Sequence, residues 1–143
     1  MLMSDLDDLI AGKEIGHRAD ALRRITDLFV SNSGQLSDDQ VTLFDDVMGK
    51  LVREIDASAR AAFSTRVASI PDTPPQVVRT LALDDDIEVA EPILVNSERL
   101  DDATLVEGAR TKSQDHLLAI SRRNTLSEAV TDVLVDRGNR EVR

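Results

Sequence analysis

The sequence has no cysteine, tryptophan or tyrosine, and only three phenylalanines. Without thiols there can be no disulfide, no thiolate nucleophile and no cysteine-based zinc or iron–sulfur centre. With so few aromatic rings, the core has to be built from Leu, Val, Ile and Ala, a composition that favours packed helices over a β-sandwich. The missing rings also remove the stacking platforms on which single-stranded nucleic acid is held. Glycine is sparse, six residues, and none lies in a phosphate-cradling G-x-x-x-x-G-K pattern. No apolar run approaches the roughly 20 residues of a membrane span. Positive charge is the minority sign: 17 Lys and Arg stand against 27 Asp and Glu, a formal net charge of −10. A field of that sign repels phosphate backbones and anionic headgroups.

What is present reads as helix. The chain of 143 residues is expected to form a single all-α domain spanning 1–143. The opening MLMSDLDDLIAGK turns acidic at residue 5, where a secretory leader would be basic and then apolar, so a cytoplasmic location is expected. Ser4 is placed to cap a short helix over about 5–11, which Gly12 ends. A second helix, about Glu14 to Val30, carries Ile15, Ala19, Leu22, Ile25 and Phe29 on one face and stops at SNSG, with Gly34 free to turn left-handed. Ser37 and Gln40 form a capping box, with Leu36 and Val41 as its staple. The apolar stripe then runs from Val41 to Ile70, as one helix or as two that meet near Asp56. Two helices, or one with a bend, are favoured because unbroken helices of that length are uncommon in compact domains.

PDTPP at 71–75 forces a turn and puts Pro75 at the first position of a helix to about 83, with Val77, Val78, Leu81 and Ala82 inward. Short helices follow. Asp86 caps about 87–95, with Pro92 inside it, and Asp101 caps about 102–111. Ser113 caps the next, with Leu117, Leu118 and Ile120 inward. Thr125 and Glu128 form a second box for a helix to about Asp136, ended by Gly138. Leu105, Leu117, Leu118 and Leu134 are expected to be buried.

Leu100-Asp-Asp-Ala103 and Leu126-Ser-Glu-Ala129 align at an offset of 26 residues, and helix starts near 86, 113 and 139 keep a similar spacing. A pair of short helices cannot bury its own apolar face, whereas stacked pairs bury one continuous core. The expected architecture is therefore an N-terminal helical bundle over 1–70 leading into short HEAT-like helix-pair repeats over 71–143, an α-solenoid whose last repeat is incomplete. A non-repeating bundle of short helices is the competing arrangement.

Three stretches, TDLFVSNSGQLSDDQVTLFDDVMGKLVREID, PDTPPQVVRTLALDDDIEVAEPIL and LSEAVTDVLVDRGNREV, together resemble the alphaproteobacterial domain of unknown function 2336 family. The resemblance implies a helical N-terminal region followed by HEAT-like repeats in a bacterial cytosolic protein, and no catalytic residues. Members of that family are usually longer. The chain ends at GNREVR, where another helix would start, and that uncapped end is expected to pack on another copy or to fray.

Candidate sites are few. Asp84-Asp85-Asp86 fails as a calcium loop, because counting from Asp84 puts Val89 at position six and Val95 at position twelve. An N-cap cluster explains it more simply. His17 and His116 have no histidine at i+4 and read as surface or boundary residues, although Asp115 stands beside His116. Arg110, Lys112, Arg122 and Arg123 make one segment locally basic, and Arg137, Arg140 and Arg143 extend it. Of these, Arg110, Lys112, Arg122, Arg123, Arg137 and Arg140 form the candidate partner surface. No catalytic, cofactor-binding or metal-binding residue is expected. The expected function is a non-catalytic protein-interaction scaffold or adaptor with an unknown protein partner. A nucleic-acid-binding helical-repeat protein is the alternative, and an enzyme of unrecognised type stands third.

Overall fold

The computed structural model describes residues 17–141. The expected helix at 5–11, its Ser4 cap, the Gly12 stop and residues 14–16 lie outside the described residues. Within them the protein is all-α, with eight helices and no strand. They are α1 (Arg18–Ser31), α2 (Asp38–Glu54), α3 (Ala57–Val67), α4 (Pro75–Ala82), α5 (Ile87–Asn96), α6 (Asp102–Thr111), α7 (Gln114–Ser121) and α8 (Glu128–Glu141).

The stripe from Val41 to Ile70 is two helices. Ile55 leaves the helical region at φ −106° and ψ 161°, and the Asp56 carboxylate accepts from Ala59 N at 2.8 Å to start α3. The capping box at α2 is complete: Ser37 Oγ accepts from Gln40 N, and Gln40 Oε1 accepts from Ser37 N. Asp86, Asp101 and Ser113 cap α5, α6 and α7 through amides two or three residues on. Gly34 adopts φ 81°, the turn that frees the chain from α1.

Packing follows a simple rule. α2, α4, α6 and α8 each contact the next of that set, and α3, α5 and α7 do likewise. Contacts between α4 and α5, α6 and α7, and α7 and α8 join the two sets, while α1 lies on α2. This pattern continues across residue 70. The apolar core is unbroken from Leu22 to Val130, and Phe29 meets Phe44 edge-to-face with ring centroids 5.2 Å apart.

Several expectations are corrected. Ala19 is exposed, and α1 buries Ala21 and Thr26 beside Leu22, Ile25 and Phe29, so its inward arc is rotated from the one the apolar spacing suggests. Leu118 points outward with 56% of its surface exposed, and His116 takes the inward place at 1%. The two positions differ by two residues, about 200° around a helix, so they cannot share a face. Leu134 is only partly buried against the core. The cap of α8 is Ser127, whose Oγ accepts from Val130 N, two residues later than a Thr125 box would place it. Gly138 does not end α8, which continues to Glu141 through the position expected to open a further helix. A glycine costs a helix only about 1 kcal/mol relative to alanine, and a glycine stop takes the left-handed conformation, which Gly34 alone adopts among the described residues.

One cap comes from a distant helix. Pro74 precedes α4 and has no side chain able to cap it. Asp45 of α2, 7% exposed, fills that role: its two oxygens accept from Gln76 N at 3.0 Å and Val77 N at 2.9 Å. Asp45→Ala should destabilise the protein by about 1–3 kcal/mol, since two first-turn amides, that of Val77 buried, lose their acceptor. In urea denaturation Leu105→Ala and Leu117→Ala should each cost about 2–5 kcal/mol. Leu118→Ala should stay within about 0.5 kcal/mol of the parent.

Candidate functional site

The acidic triple and the basic segment that follows it are brought together, and they engage each other. Asp86 caps α5. The Asp84 carboxylate accepts from its own neighbour Asp86 N and from Arg60 Nε of α3, at 2.9 Å each. Arg60 also donates through Nη1 to Ile55 O, the carbonyl just past the end of α2. Asp85, on the exposed side, pairs with Lys112 Nζ at 2.7 Å. The hydrogen bond and charge of Lys112 hold the Asp85 carboxyl below the usual range.

His116 ties this cluster to α7. Its Nε2 lies 2.8 Å from the Asp84 carbonyl oxygen, and its Nδ1 lies 2.7 Å from Ser113 Oγ. A carbonyl can only accept, so Nε2 is the donor to Asp84 O, and in that tautomer Nδ1 accepts a hydrogen bond from the Ser113 hydroxyl. Both ring nitrogens are occupied within the chain, and the ring is buried. The geometry suits a structural joint between α7 and the turn from α4 to α5. It leaves neither nitrogen facing solvent to exchange a proton with a substrate. His17 is exposed at the start of α1, far along the chain from this cluster, and has an interaction of its own.

The basic residues divide in two. Arg123 and Arg137 act as C-terminal caps for other helices. Arg123 donates to Leu94 O at 2.7 Å, Ser97 O at 2.8 Å and Ile93 O at 3.5 Å, the last carbonyls of α5 and the residue beyond. Burial lowers the pKa of its guanidinium. Arg137 of α8 donates to Ala109 O at 2.8 Å and Lys112 O at 2.6 Å at the end of α6. Guanidinium suits both places, since its fan of donors can serve several carbonyls and its charge opposes the negative helix end. The more exposed group is Arg110 on α6 and Arg122, which pairs with Glu91 of α5 at 3.3 Å. The side chain of Arg140 lies outside the described residues.

Asp45 and Arg79, like Arg60, are polar residues that the sequence does not single out. Arg79 of α4 reaches α6, donating to Thr104 Oγ1 at 2.9 Å and Glu107 Oε1 at 2.7 Å. Neither residue stands in a local motif. The only signal was an acid on the apolar stripe of α2 and a proline where a cap belongs.

Two of the clefts among the described residues have apolar lining. One, about 170 Å³, lies between α1 and α3, floored by Leu22, Ile55 and Phe63 and rimmed by Arg23 and Arg66. The other, about 390 Å³, lies near the starts of α2 and α4 and gathers Phe29, Leu36, Val41, Asp38, Asp72 and Arg99. Leu36 and Val41, the expected staple, both line it. Among the described residues, no group of three His, Asp or Glu side chains could hold a metal ion, and no helix is long and apolar enough to cross a membrane.

Residues 89–143 match the model of a family described as an uncharacterised protein conserved in bacteria, DUF2336, the family whose resemblance the sequence carries. The match takes in most of α5 and all of α6, α7 and α8. No curated protein and no solved structure matches the chain.

The caps make two predictions. Hydrogen bonds from Thr104, first its side chain and then its amide, hold the Asp101 carboxyl below the usual carboxylate range. A depressed folded pKa contributes stability above the unfolded value, near 3.8, and that stability is lost as pH falls through the depressed value. Asp101→Ala should therefore cost about 0.5–2 kcal/mol near neutral pH. Asp101→Asn should keep the cap and flatten the acid limb of a thermal-stability profile. Arg123→Lys should cost about 1–3 kcal/mol by thermal denaturation, because an ammonium cannot span the three carbonyls.

Proposed function

We infer that the chain is a non-catalytic protein-interaction scaffold, built from stacked HEAT-like helix pairs as an α-solenoid in the bacterial cytoplasm. The observation that supports this reading most is the register of the two helix sets. α4, α6 and α8 begin at 75, 102 and 128, and α5 and α7 begin at 87 and 114, so each element returns after 26 or 27 residues. The caps return with them: Asp86 and Ser113 in one set, Asp101 and Ser127 in the other. Polar links join each turn of the stack to the next. Ser64 donates to Val89 O, Arg79 to Thr104, and Ser127 to Asp102.

A stack of this kind offers a partner long rigid faces rather than a pocket. Two surfaces suit a protein ligand. The cleft between α1 and α3 has the size and apolar floor to take one bulky side chain, with arginines at its edge. The exposed Arg110 and Arg122 belong to the candidate partner surface, where Arg123 and Arg137 fix the backbone beneath. The nucleic-acid alternative has less support, because the net charge is −10 and the most basic segment spends its cations on carbonyls and carboxylates of the same chain.

Fluorescence anisotropy with a labelled DNA duplex separates the two. The scaffold reading predicts no submicromolar binding at physiological salt, whereas tight binding that falls steeply as salt rises overturns it. Cross-linking in native cytosol followed by mass spectrometry should join a protein partner to residues on these two surfaces.

A further inference from the structure

We propose that the cleft between α1 and α3 is a docking groove held by the chain's own first sixteen residues, which fold back and lay Leu6, Leu9 and Ile10 over it. A protein partner gains the groove by displacing them. The inference rests on the scaffold reading above and names the regulation of one of its surfaces.

The two walls of the cleft run parallel. The Arg18–Glu54 ion pair, 2.7 Å, ties the start of α1 to the end of α2 just ahead of α3, and the Arg66–Asp27 pair, 2.5 Å, ties the far end. Between these ties Ala19 and Ala62 flank the mouth, both exposed, and alanine at each place keeps it open. The volume of about 170 Å³ is enough for one bulky apolar group, since a dry cavity of about 150 Å³ takes benzene.

Position and charge choose the occupant. The segment 1–16, outside the described residues, joins α1 at His17, beside the Arg18–Glu54 end of the cleft. Gly12 and Gly16 give the chain freedom to reverse there. The cleft follows α1 from Ala19 to Thr26, about 12 Å of helix, and the helix expected over 5–11 measures about 10 Å. At about 100° per residue, Leu6, Leu9 and Ile10 share one side of that helix, with Asp5 bordering them on one flank and Asp7 on the other. The cleft answers with one arginine from each wall, Arg23 of α1 and Arg66 of α3, and its described lining holds no carboxylate. Each arginine also pairs sideways, Arg23 with Asp20 and Arg66 with Asp27. Those exposed pairs are weak, and a guanidinium with five N–H donors has some left for a second carboxylate. A tethered segment meets the groove at an effective concentration on the order of millimolar, against which an untethered acidic peptide has to compete.

Paramagnetic broadening in the full chain tests the proposal. The chain has no cysteine, so Asp8→Cys takes a single nitroxide, on the side of the segment away from Leu6, Leu9 and Ile10. Amides at the start of α1 lie close in sequence and broaden in any case, so those of Ala62 and Arg66 on α3 decide. Both peaks should lose most of their intensity, while those of α7 keep theirs. Replacing Leu6, Leu9 and Ile10 together by serine should restore both peaks. Ala62→Glu, which fills the mouth with a carboxylate, should restore that of Arg66. Full intensity at Ala62 and Arg66 in the labelled chain overturns the proposal. So does broadening that survives the triple serine substitution. Broadening of an isotope-labelled chain by a separate spin-labelled one overturns it too, because the segment would then sit on a second copy. These failures leave the scaffold reading standing, since that reading falls only on duplex binding.

Discussion

Short helices leave much of their backbone unpaired, and the structure depends on how those ends are satisfied. An α-helix leaves its first four N–H and last four C=O groups without internal partners. In the eight residues of α4 or α7 that is a large share of all the peptide groups present. Such a helix holds its place only if its ends are paired from outside and its apolar face is covered. Local N-caps do the first part: Asp56, Asp86, Asp101 and Ser113 each bond an amide in the following turn. Three further ends are paired by side chains distant in the chain. Asp45 caps the start of α4, Arg123 the end of α5, and Arg137 the end of α6.

Pairing at a distance couples the stability of each helix to the elements packed beside it. The bonds of these remote caps span 25 to 32 residues, close to the spacing that separates helices packed on one another. Capping and apolar packing therefore select the same neighbours, the agreement between levels that makes a native state unique. The buried joint from Arg60 through Asp84 to His116 and Ser113 belongs to this scheme, since it links α3, the turn before α5, and α7. Charged residues that would otherwise suggest a binding site are spent on the backbone. What faces solvent is a set of rigid helical surfaces, which is the physical basis for proposing an adaptor.

Much of this was legible in the sequence wherever the determinant is local. The capping box at Ser37, the break at Asp56, Pro75 at the head of α4 and the caps of α5, α6 and α7 all follow from residues within three or four positions. The errors have physical reasons as well. Gly138 reads as a stop, but glycine ends a helix only when the chain turns left-handed there. Leu118 reads as core, yet hydrophobicity alone cannot fix the rotation of an eight-residue helix, and burying His116 with two hydrogen bonds settled it the other way. Asp45, Arg79, Arg123 and Arg137 owe their roles to elements about 25 to 32 residues away, which no local pattern encodes. As for the site, the acidic triple was rightly read as a capping cluster in part. Its pairing with Arg60 and Lys112 became visible only in three dimensions.

The central claim is that helix ends are held by side chains distant in the chain, and residue-resolved native-state hydrogen exchange tests it most directly. Gln76 and Val77 lie in the first turn of α4, where an isolated helix gives its amides no acceptor. If Asp45 holds them, both amides should exchange as slowly as amides in the middle of α5, opening only when the stack opens. Exchange of both at the rate of unprotected peptide, with the middle of α5 still protected, would contradict the account.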